Sequence, residues 1–530
     1  MRKNLILLLF LSFSATSFLH CQDWIRIYGQ GQDAVGRYIT EDYDHGYIIL
    51  GDVNNYSYCW LLKTDINGNQ LHNLRIGSGS YAVGSENIEK TLDNGYILCG
   101  TWTKFNPSWD AFIIKLNACL EVEWCKTLIT PSVYDRGMRV QVTSEGDYLL
   151  LGAYFITNPP SDISLFKFDS LGDLIWQQFY PYDTSRRFND SPSGLLTDRD
   201  GYLITGSTYY PDPGMVNEGV IRSYFIKTDT SGNKTWDLVY GAYDYYYSDP
   251  WQTIVDKNSN YYHTCTDDGN DVNPALIKLA HNGTPLSAND IINTGNSNFS
   301  GLSTITILND TNLIMGGLVW NTPSIYNNEI VKTDTSGVVR KIKILPTLTN
   351  GSISATTTFD KKNISILGDA TGGSWKIYAV KVNSDLEYDS IYTHPFVYDS
   401  LCPHPIVSDT IDPVCDNVYV GISEPFTNPE KTQLKVYPNP AHERVSIEFP
   451  QYLVLNNSSG SIPTTTVYHQ WKSTTLEVFD ITGKKILVKE IIRPQTSLQL
   501  DVSSWQHGMY YFRLVYNKMT VAGQKVFVAN

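Results

Sequence analysis

A chain of 530 residues exceeds what one hydrophobic core can organise and implies two or more domains. With 42% hydrophobic and 18% charged residues it is globular rather than disordered, and 13% aromatics, led by 36 Tyr, favour strands over helices. A formal charge of −14 argues against nucleic acid or anionic membrane surfaces as partners.

The chain opens with Arg2 and Lys3, followed by an apolar run from Leu5 to Phe13 that gives way abruptly to polar residues at Gln22. This reads as a secretory signal peptide over residues 1–21, with cleavage after Leu19-His20-Cys21. The run is too short to span a bilayer stably, and nothing comparable recurs, so no transmembrane span is expected in the mature chain. Leu19-His20 fit poorly with the small residues that precede a lipidated cysteine, which favours plain cleavage over an anchor at Cys21.

From residue 22 to about 395 the chain repeats itself. A phrase of Gly-Tyr and an apolar run ending in Gly appears at 46–51, 95–100, 146–152 and 201–206, with diverged copies at 260–265, 312–317 and 363–368. Each is followed by an apolar strand carrying one lysine: Lys63, Lys115, Lys167, Lys227, Lys278, Lys332 and Lys381. The gaps between these lysines are 52, 52, 60, 51, 54 and 49 residues. After each lysine comes a turn such as Asp65-Ile66-Asn67-Gly68, then a strand often opened by Trp, as at Trp124, Trp176 and Trp236. With the β-branched strand before each Gly-Tyr phrase, a repeat holds four short strands and no helical periodicity.

Seven such units predict an all-β fold, a seven-bladed β-propeller. An eighth Trp-type strand, Trp24 to Gly29, stands alone at the start, as ring closure by the N-terminus requires. The recurring Trp and Tyr are expected to pack between blades, the glycines to permit close approach, and the lysines to face outward or pair with nearby carboxylates.

Within the repeats, Asp267, Asp268, Asn270 and Asp271 crowd oxygen ligands into one loop and form a candidate Ca²⁺ site. They lack the spacing of an EF-hand loop, and a solvated hairpin explains them better. No other cofactor is expected. Asp229 to Trp236 resembles the Asp-box of sialidases with one residue too many on each side of its Gly, and is a packing device in that family. No HExxH, GxSxG or P-loop occurs.

Residues 396–433 lose the period and are rich in X-Pro pairs, which reads as an extended linker. Cys402 and Cys415 bracket part of it and are expected to form a disulfide, whereas Cys59, Cys99, Cys119, Cys125 and Cys265 read as buried apolar residues. Asp389-Ser390-Ile391, Asp399-Ser400-Leu401 and Asp409-Thr410-Ile411 resemble the Asp-Ser/Thr-apolar sites at which Bacteroidetes attach O-glycans, and equally resemble ordinary Asp-Ser turns.

Residues 434–530 read as a small Ig-like β-sandwich of alternating strands. The blocks are Lys435 to Ala441 (KVYPNPA), Leu476 to Lys484 (LEVFDITGK), Leu500 to Trp505 (LDVSSW), Gly508 to Leu514 (GMYYFRL) and Lys525 to Asn530 (KVFVAN). In that order they resemble the type A C-terminal sorting domain of the type IX secretion system of Bacteroidetes. The segment from Gln451 to Gln470 is longer and richer in Ser and Thr than the usual short turn. The resemblance implies that Tyr437, Pro438, Asn439, Pro440, Gly508, Tyr510, Lys525, Val526, Phe527 and Val528 belong to the sorting signal. It also implies that an outer-membrane translocon reads the domain and a sortase removes it. The protein would pass through the periplasm and end secreted or attached to the outer cell surface.

For the propeller itself two roles follow. It is a binding module whose loops meet an extracellular glycan or protein, with Tyr240 to Tyr247 (YGAYDYYY) as stacking surfaces, or it is a polysaccharide hydrolase or lyase with acids at the propeller axis.

Overall fold

The computed structural model describes residues 23–529 apart from 105–108, 130–133, 156–160, 182–189, 212–218, 241–246, 249–251, 268–272, 292–299, 323–324, 349–353, 359–363, 371–374, 395, 420–433, 450–473, 482–483, 492–496 and 517–518. The signal-peptide segment and Asp268, Asn270 and Asp271 lie outside the described residues. Two compact units divide the chain, residues 1–420 and 421–530.

In the first unit every repeat becomes one antiparallel sheet. Blade 2 shows the pattern: Val83–Lys90 is innermost, then Tyr96–Trp102, Asp110–Leu116 and the outer strand Val122–Ile129. The two middle strands are buried along their whole length, because neighbouring blades cover both faces. That is why the Gly-Tyr and lysine phrases are continuously apolar instead of alternating. Blade 1 runs from Ala34 to Ile76, blade 3 from Arg136 to Tyr180, blade 4 from Ser191 to Val239, blade 5 from Tyr247 to Asp290 and blade 6 from Ser300 to Leu348. Blade 7 takes three strands from Ser354 to Val382, and its outer strand is Ile25–Tyr28, with Ile25 opposite Val380 and Tyr28 opposite Ile377. Each inner strand packs on the next, and that of blade 7 packs on that of blade 1. The seven open sheets therefore run round a ring whose last member is completed by the chain's beginning.

Tryptophan and glycine lock the blades. Each turn between third and outer strand has its fourth residue at positive φ: Gly68 (75°), Leu120 (62°), Gly172 (82°), Gly232 (80°), Gly283 (82°), Gly337 (87°) and Leu386 (58°). The Trp of the preceding blade's outer edge lies on that turn. A Cβ on Gly68 would stand 2.7 Å from Trp24, one on Gly172 2.7 Å from Trp124, and one on Gly232 2.9 Å from Trp176. The Trp24 indole also donates to the Ile66 carbonyl at 2.7 Å.

Five of the seven repeat lysines, Lys63, Lys115, Lys167, Lys227 and Lys381, pair with carboxylates, and the buried ones do not face outward. Lys63, Lys115, Lys227 and Lys381 are buried, since a strand covered on both faces has no outward side. Their stems lie between blades and their ammonium groups reach acids at the turns. Lys63 Nζ is 2.8, 2.9 and 2.9 Å from Asp42, Asp44 and Asp399, and Lys227 Nζ is 2.6 Å from Asp200. The next blade's Gly-Tyr phrase joins in, Tyr96 donating to Asp42 at 2.8 Å.

The linker expected over 396–433 is corrected for its described part, 396–419. This stretch is a strap fastened to blades 1 and 2. Asp409–Ile411 adds in parallel to Leu74–Ile76, and Asp416–Tyr419 adds in parallel beside Lys126–Ile129. Asp399 is drawn into the Lys63 cluster and lies 2.7 Å from His72. The Cys402–Cys415 disulfide is corrected too: Cys402 bonds Cys119 and Cys415 bonds Cys125. The strand Asp409–Ile411, running along blade 1, carries the two strap cysteines to different parts of blade 2, a turn and an outer strand. Cys59, Cys99 and Cys265 are buried thiols outside these two disulfides.

The second unit packs a three-stranded sheet (Lys435–Tyr437, Arg444–Glu448, Ser497–Asp501) on a four-stranded one (Lys485–Glu490, Thr474–Asp480, Gly508–Tyr516, Met519–Val528). Val436, Val445, Ile447, Val478, Phe512, Val526 and Val528 form its core.

Candidate functional site

The inner strands border the propeller axis, and a shared irregularity shapes them. Each of five shifts register by one residue near its start: between Gly36 and Tyr38, Ser85 and Asn87, Gly137 and Arg139, Pro192 and Gly194, and Leu302 and Thr304. A bulge disrupts the ladder locally, and the preceding blade meets amides there. Asp52 accepts from the Ser85 amide at 2.8 Å, Asn87 from Val140 at 3.0 Å and Gln252 from Ile305 at 3.1 Å; on the regular inner strand of blade 7, Ala355 donates likewise to Thr304 at 3.2 Å.

Polar groups of blades 1 to 3 meet across these strands. Tyr38 of blade 1 and Gln141 of blade 3 both donate to Glu89 Oε1 of blade 2, at 3.3 and 3.2 Å. Burial pushes the Glu89 carboxyl up to about 7, outweighing the opposing pull of the Tyr38 hydrogen bond and of the Lys90 and Arg139 charges. Near neutrality this group is available as either acid or base. Arg136 Nη2 pairs with Glu86 at 2.8 Å, and Arg37 Nε with Asp52 at 2.8 Å. Glu86 and Glu89, with Arg37, Arg136 and Arg139, thus lie on the inner strands of three consecutive blades.

The two faces of the ring differ. On one, the turns between third and outer strands are short, and in every blade but the fifth, whose turn opens with Ala280, the first side chain caps the turn. Asp65 Oδ1 accepts from the Asn67 and Asn69 amides at 2.9 and 2.7 Å, and Asp229 from Ser231 and Asn233 at 2.9 and 2.8 Å. The other face carries the connections between blades and those between second and third strands. Its described residues include Tyr56, Tyr134 and Trp375, which are 39%, 54% and 37% exposed. The connection between blades 4 and 5 contains the Tyr-rich run, of which 241–246 lie outside the described residues.

Among the described residues two groups bring three metal-ligating side chains together, Asp198–Asp200–His281 and Cys119–Glu121–His404. In the first, Lys227 already supplies positive charge at 2.6 Å from Asp200, and His281 bridges the two acids at 3.1 and 2.8 Å. It is the lysine and acid lock of blades 4 and 5. In the second, the Cys119 sulfur is committed to Cys402.

The residues assigned to sorting gather on one edge of the second unit. Asn439 accepts from the Phe527 amide at 2.9 Å and donates to the Lys525 carbonyl at 3.2 Å. The Ala441 amide donates to the Phe527 carbonyl at 2.7 Å, so the Tyr437–Ala441 segment lies along the free edge of the last strand. Tyr437 donates to Glu448 at 2.5 Å. Val526 and Val528 are buried, Lys525 is exposed, and Tyr510 packs on Trp505 with ring centres 4.9 Å apart. No local signal marks the Glu89 cluster in the sequence, because its partners Tyr38 and Gln141 stand 51 and 52 residues away on either side.

The molecule is a ring of seven β-blades joined to a two-sheet sandwich. Residues 435–529 match the family model of the secretion system C-terminal sorting domain. The chain is accordingly a secreted cargo of the type IX system with a propeller fold, and the domain implies export with release or surface attachment. No curated protein sequence matches it. Among solved structures it is similar to a PL25 ulvan lyase bound to -[GlcA(1-4)Rha3S]-, at 12% identity over 68% of this chain and 96% of that one, with a TM-score of 0.48. It is also similar to a protein of unknown function from Dyadobacter fermentans (9%, 67% and 98%, 0.42) and to Drosophila Semaphorin 1a (9%, 68% and 88%, 0.43). Likenesses this distant carry no functional weight.

Proposed function

We propose that the propeller is an extracellular binding module that presents one face of its ring to a glycan or a protein. The difference between the faces supports this reading: short self-capped turns close one, while longer connections with exposed rings occupy the other. Tyr56, Tyr134 and Trp375 offer flat apolar surfaces with a polar handle, suited to stacking on sugars or packing on protein. Rigid blades hold such loops in fixed positions. In this reading a signal peptide over residues 1–21 takes the chain to the periplasm. An outer-membrane translocon and a sortase then act on the sorting domain, leaving the propeller soluble or on the cell surface. Affinity electrophoresis of the mature protein against a polysaccharide panel tests the binding role. Retardation that is lost in a Tyr134→Ala, Trp375→Ala double variant is the expected result, and retardation unchanged by it would move the ligand off this face.

A second reading, an extracellular polysaccharide hydrolase or lyase, is favoured by the position of Glu89 among Tyr38, Gln141 and Arg139 on the inner strands. It expects release of reducing ends or unsaturated products from a bound polymer. Glu89→Gln would lower turnover by about a hundredfold or more while binding persists. Binding without any product removes this reading.

A further inference from the structure

The seven inner strands present one equivalent position to the axis, opposite the residue that follows the tyrosine, or its replacement, in each repeat phrase. Thr40, Leu196, Ile254, Thr306 and Thr356 hold it in five blades, Gln141 in blade 3 and Glu89 in blade 2. All seven are half-exposed, while the residue before each is buried. Neighbouring members touch from blade to blade, Gln141 donating to Glu89 at 3.2 Å. Glu89 is therefore the one charged group in a ring of neutral side chains. Arg139, two residues before Gln141, shares its side of the strand and is also half-exposed. Its Nη1 donates to the Met138 carbonyl at 2.8 Å, and among the described residues no carboxylate lies within ion-pair distance of it. Arg37 and Arg136 are matched by Asp52 and Glu86, which leaves the Arg139 charge over. That charge bears on both Glu89 and the Tyr38 hydroxyl. Although the chain as a whole is acidic, the field beside Glu89 thus suits an anionic group.

A guanidinium with unused donors takes a carboxylate at two points. Once a sugar carboxylate is neutralised in this way, the C–H beside it becomes acid enough for a carboxylate base to remove. Glu89, raised to about 7, is a stronger base than an ordinary carboxylate. Tyr38 donates to it at 3.3 Å, and the Glu89 charge, then burial, keep that phenol protonated as a proton source. Hydrolysis by the usual pair needs a second carboxyl facing the first across the bond, and the other six ring positions supply none. We propose that this ring binds uronate-containing polysaccharide and cleaves it by β-elimination, with Glu89 taking the C5 proton, Arg139 neutralising the uronate carboxylate and Tyr38 protonating the leaving oxygen. The C5–H electron pair becomes the C4=C5 double bond as the C4–O bond breaks, and no co-reactant is consumed. The proton gained by Glu89 passes to Tyr38 along their hydrogen bond, which restores both groups. The assignment rests on the enzymatic reading above and narrows it to a lyase acting on acidic polymer.

Incubation of the full chain with polygalacturonate and with alginate tests the site, the ultraviolet absorbance of the conjugated double bond and the reducing ends being followed together. Both signals are expected to rise in step on at least one polymer, and the same polymer with its carboxyls reduced to alcohols is expected to give neither. Glu89→Gln is expected to slow the reaction about a hundredfold or more, and Arg139→Gln by a similar factor. Tyr38→Phe, which keeps the ring and its packing, serves if either variant fails to fold and is expected to slow it likewise. Reducing ends without the double bond overturn the inference and leave a hydrolase standing. Absence of product from every polymer, acidic or neutral, ends the inference together with the enzymatic reading. Unsaturated product formed at the parent rate by any of the folded variants overturns the assignment of that chemistry to this ring.

Discussion

His263 shows how one side chain can set the acid limit of the fold. It is fully buried on the second strand of blade 5, its Nδ1 2.7 Å from Thr253 Oγ1 and its ring against Phe225. Burial lowers its pKa to about 3. An unfolded histidine titrates near 6.5, so between those values the unfolded chain holds more protons than the folded one. Stability is then lost as pH falls from about 6.5 toward 3, by on the order of 1 kcal/mol per pH unit. Glu89 has the opposite sign: raised above the ordinary carboxylate range to about 7, it destabilises the fold as pH rises from about 4.5 through 7. In denaturant melts, His263→Gln is expected to flatten the acid limb, and Glu89→Gln to gain stability over the parent above pH 7; parallel pH profiles for parent and variant would refute either assignment. Gly68→Ala is expected to cost 2 kcal/mol or more, roughly, because the residue needs φ of 75° and its Cβ would meet Trp24 at 2.7 Å. An unchanged denaturation midpoint would sink that account.

Between elements, what could be read from sequence depended on whether the signal was local. The turn glycines and the outer-strand tryptophans recur with the repeat, so both their presence and their packing role were legible. Leu120 and Leu386, which adopt the same positive φ without being glycine, were not. Nor was the strap: the segments Asp409–Ile411 and Asp416–Tyr419 are too short to signal strands, and their partners lie hundreds of residues earlier. Cys402 and Cys415 look like natural partners in one dimension, yet the bonds to Cys119 and Cys125 close separations of 283 and 290 residues. Crosslinks over loops that long restrict the unfolded chain strongly, and removing one is expected to cost a few kcal/mol. Cys402→Ser and Cys415→Ser should each lower the melting temperature, and peptide mapping should recover Cys119–Cys402 and Cys125–Cys415 peptides; a Cys402–Cys415 peptide would contradict the strap. In the sorting domain, Asn439→Ala is expected to free the edge of the last strand and speed trimming of the C-terminus by carboxypeptidase, with Asn439→Asp restoring part of the protection.

For the whole molecule, the ring turns sequence repetition into a functional asymmetry. One face is built from turns that cap themselves and dock tryptophans, so variation there disturbs blade packing. The other face carries connections of unequal length, away from the tryptophan and lysine locks at the capped turns, and this is where recognition can vary without cost to the scaffold. Closure by Ile25–Tyr28 makes this early segment of the chain part of the last blade. Deleting residues 23–28 should therefore lower cooperativity and secretion together, whereas a merely peripheral strand would leave both intact. The most direct test of the loop-face account is hydrogen exchange on the mature protein with and without a glycan or protein that it retains. Protection confined to the connections around Tyr56, Tyr134 and Trp375 is the predicted footprint; protection centred on the capped turns at Asp65, Asp169 and Asp229 would contradict it.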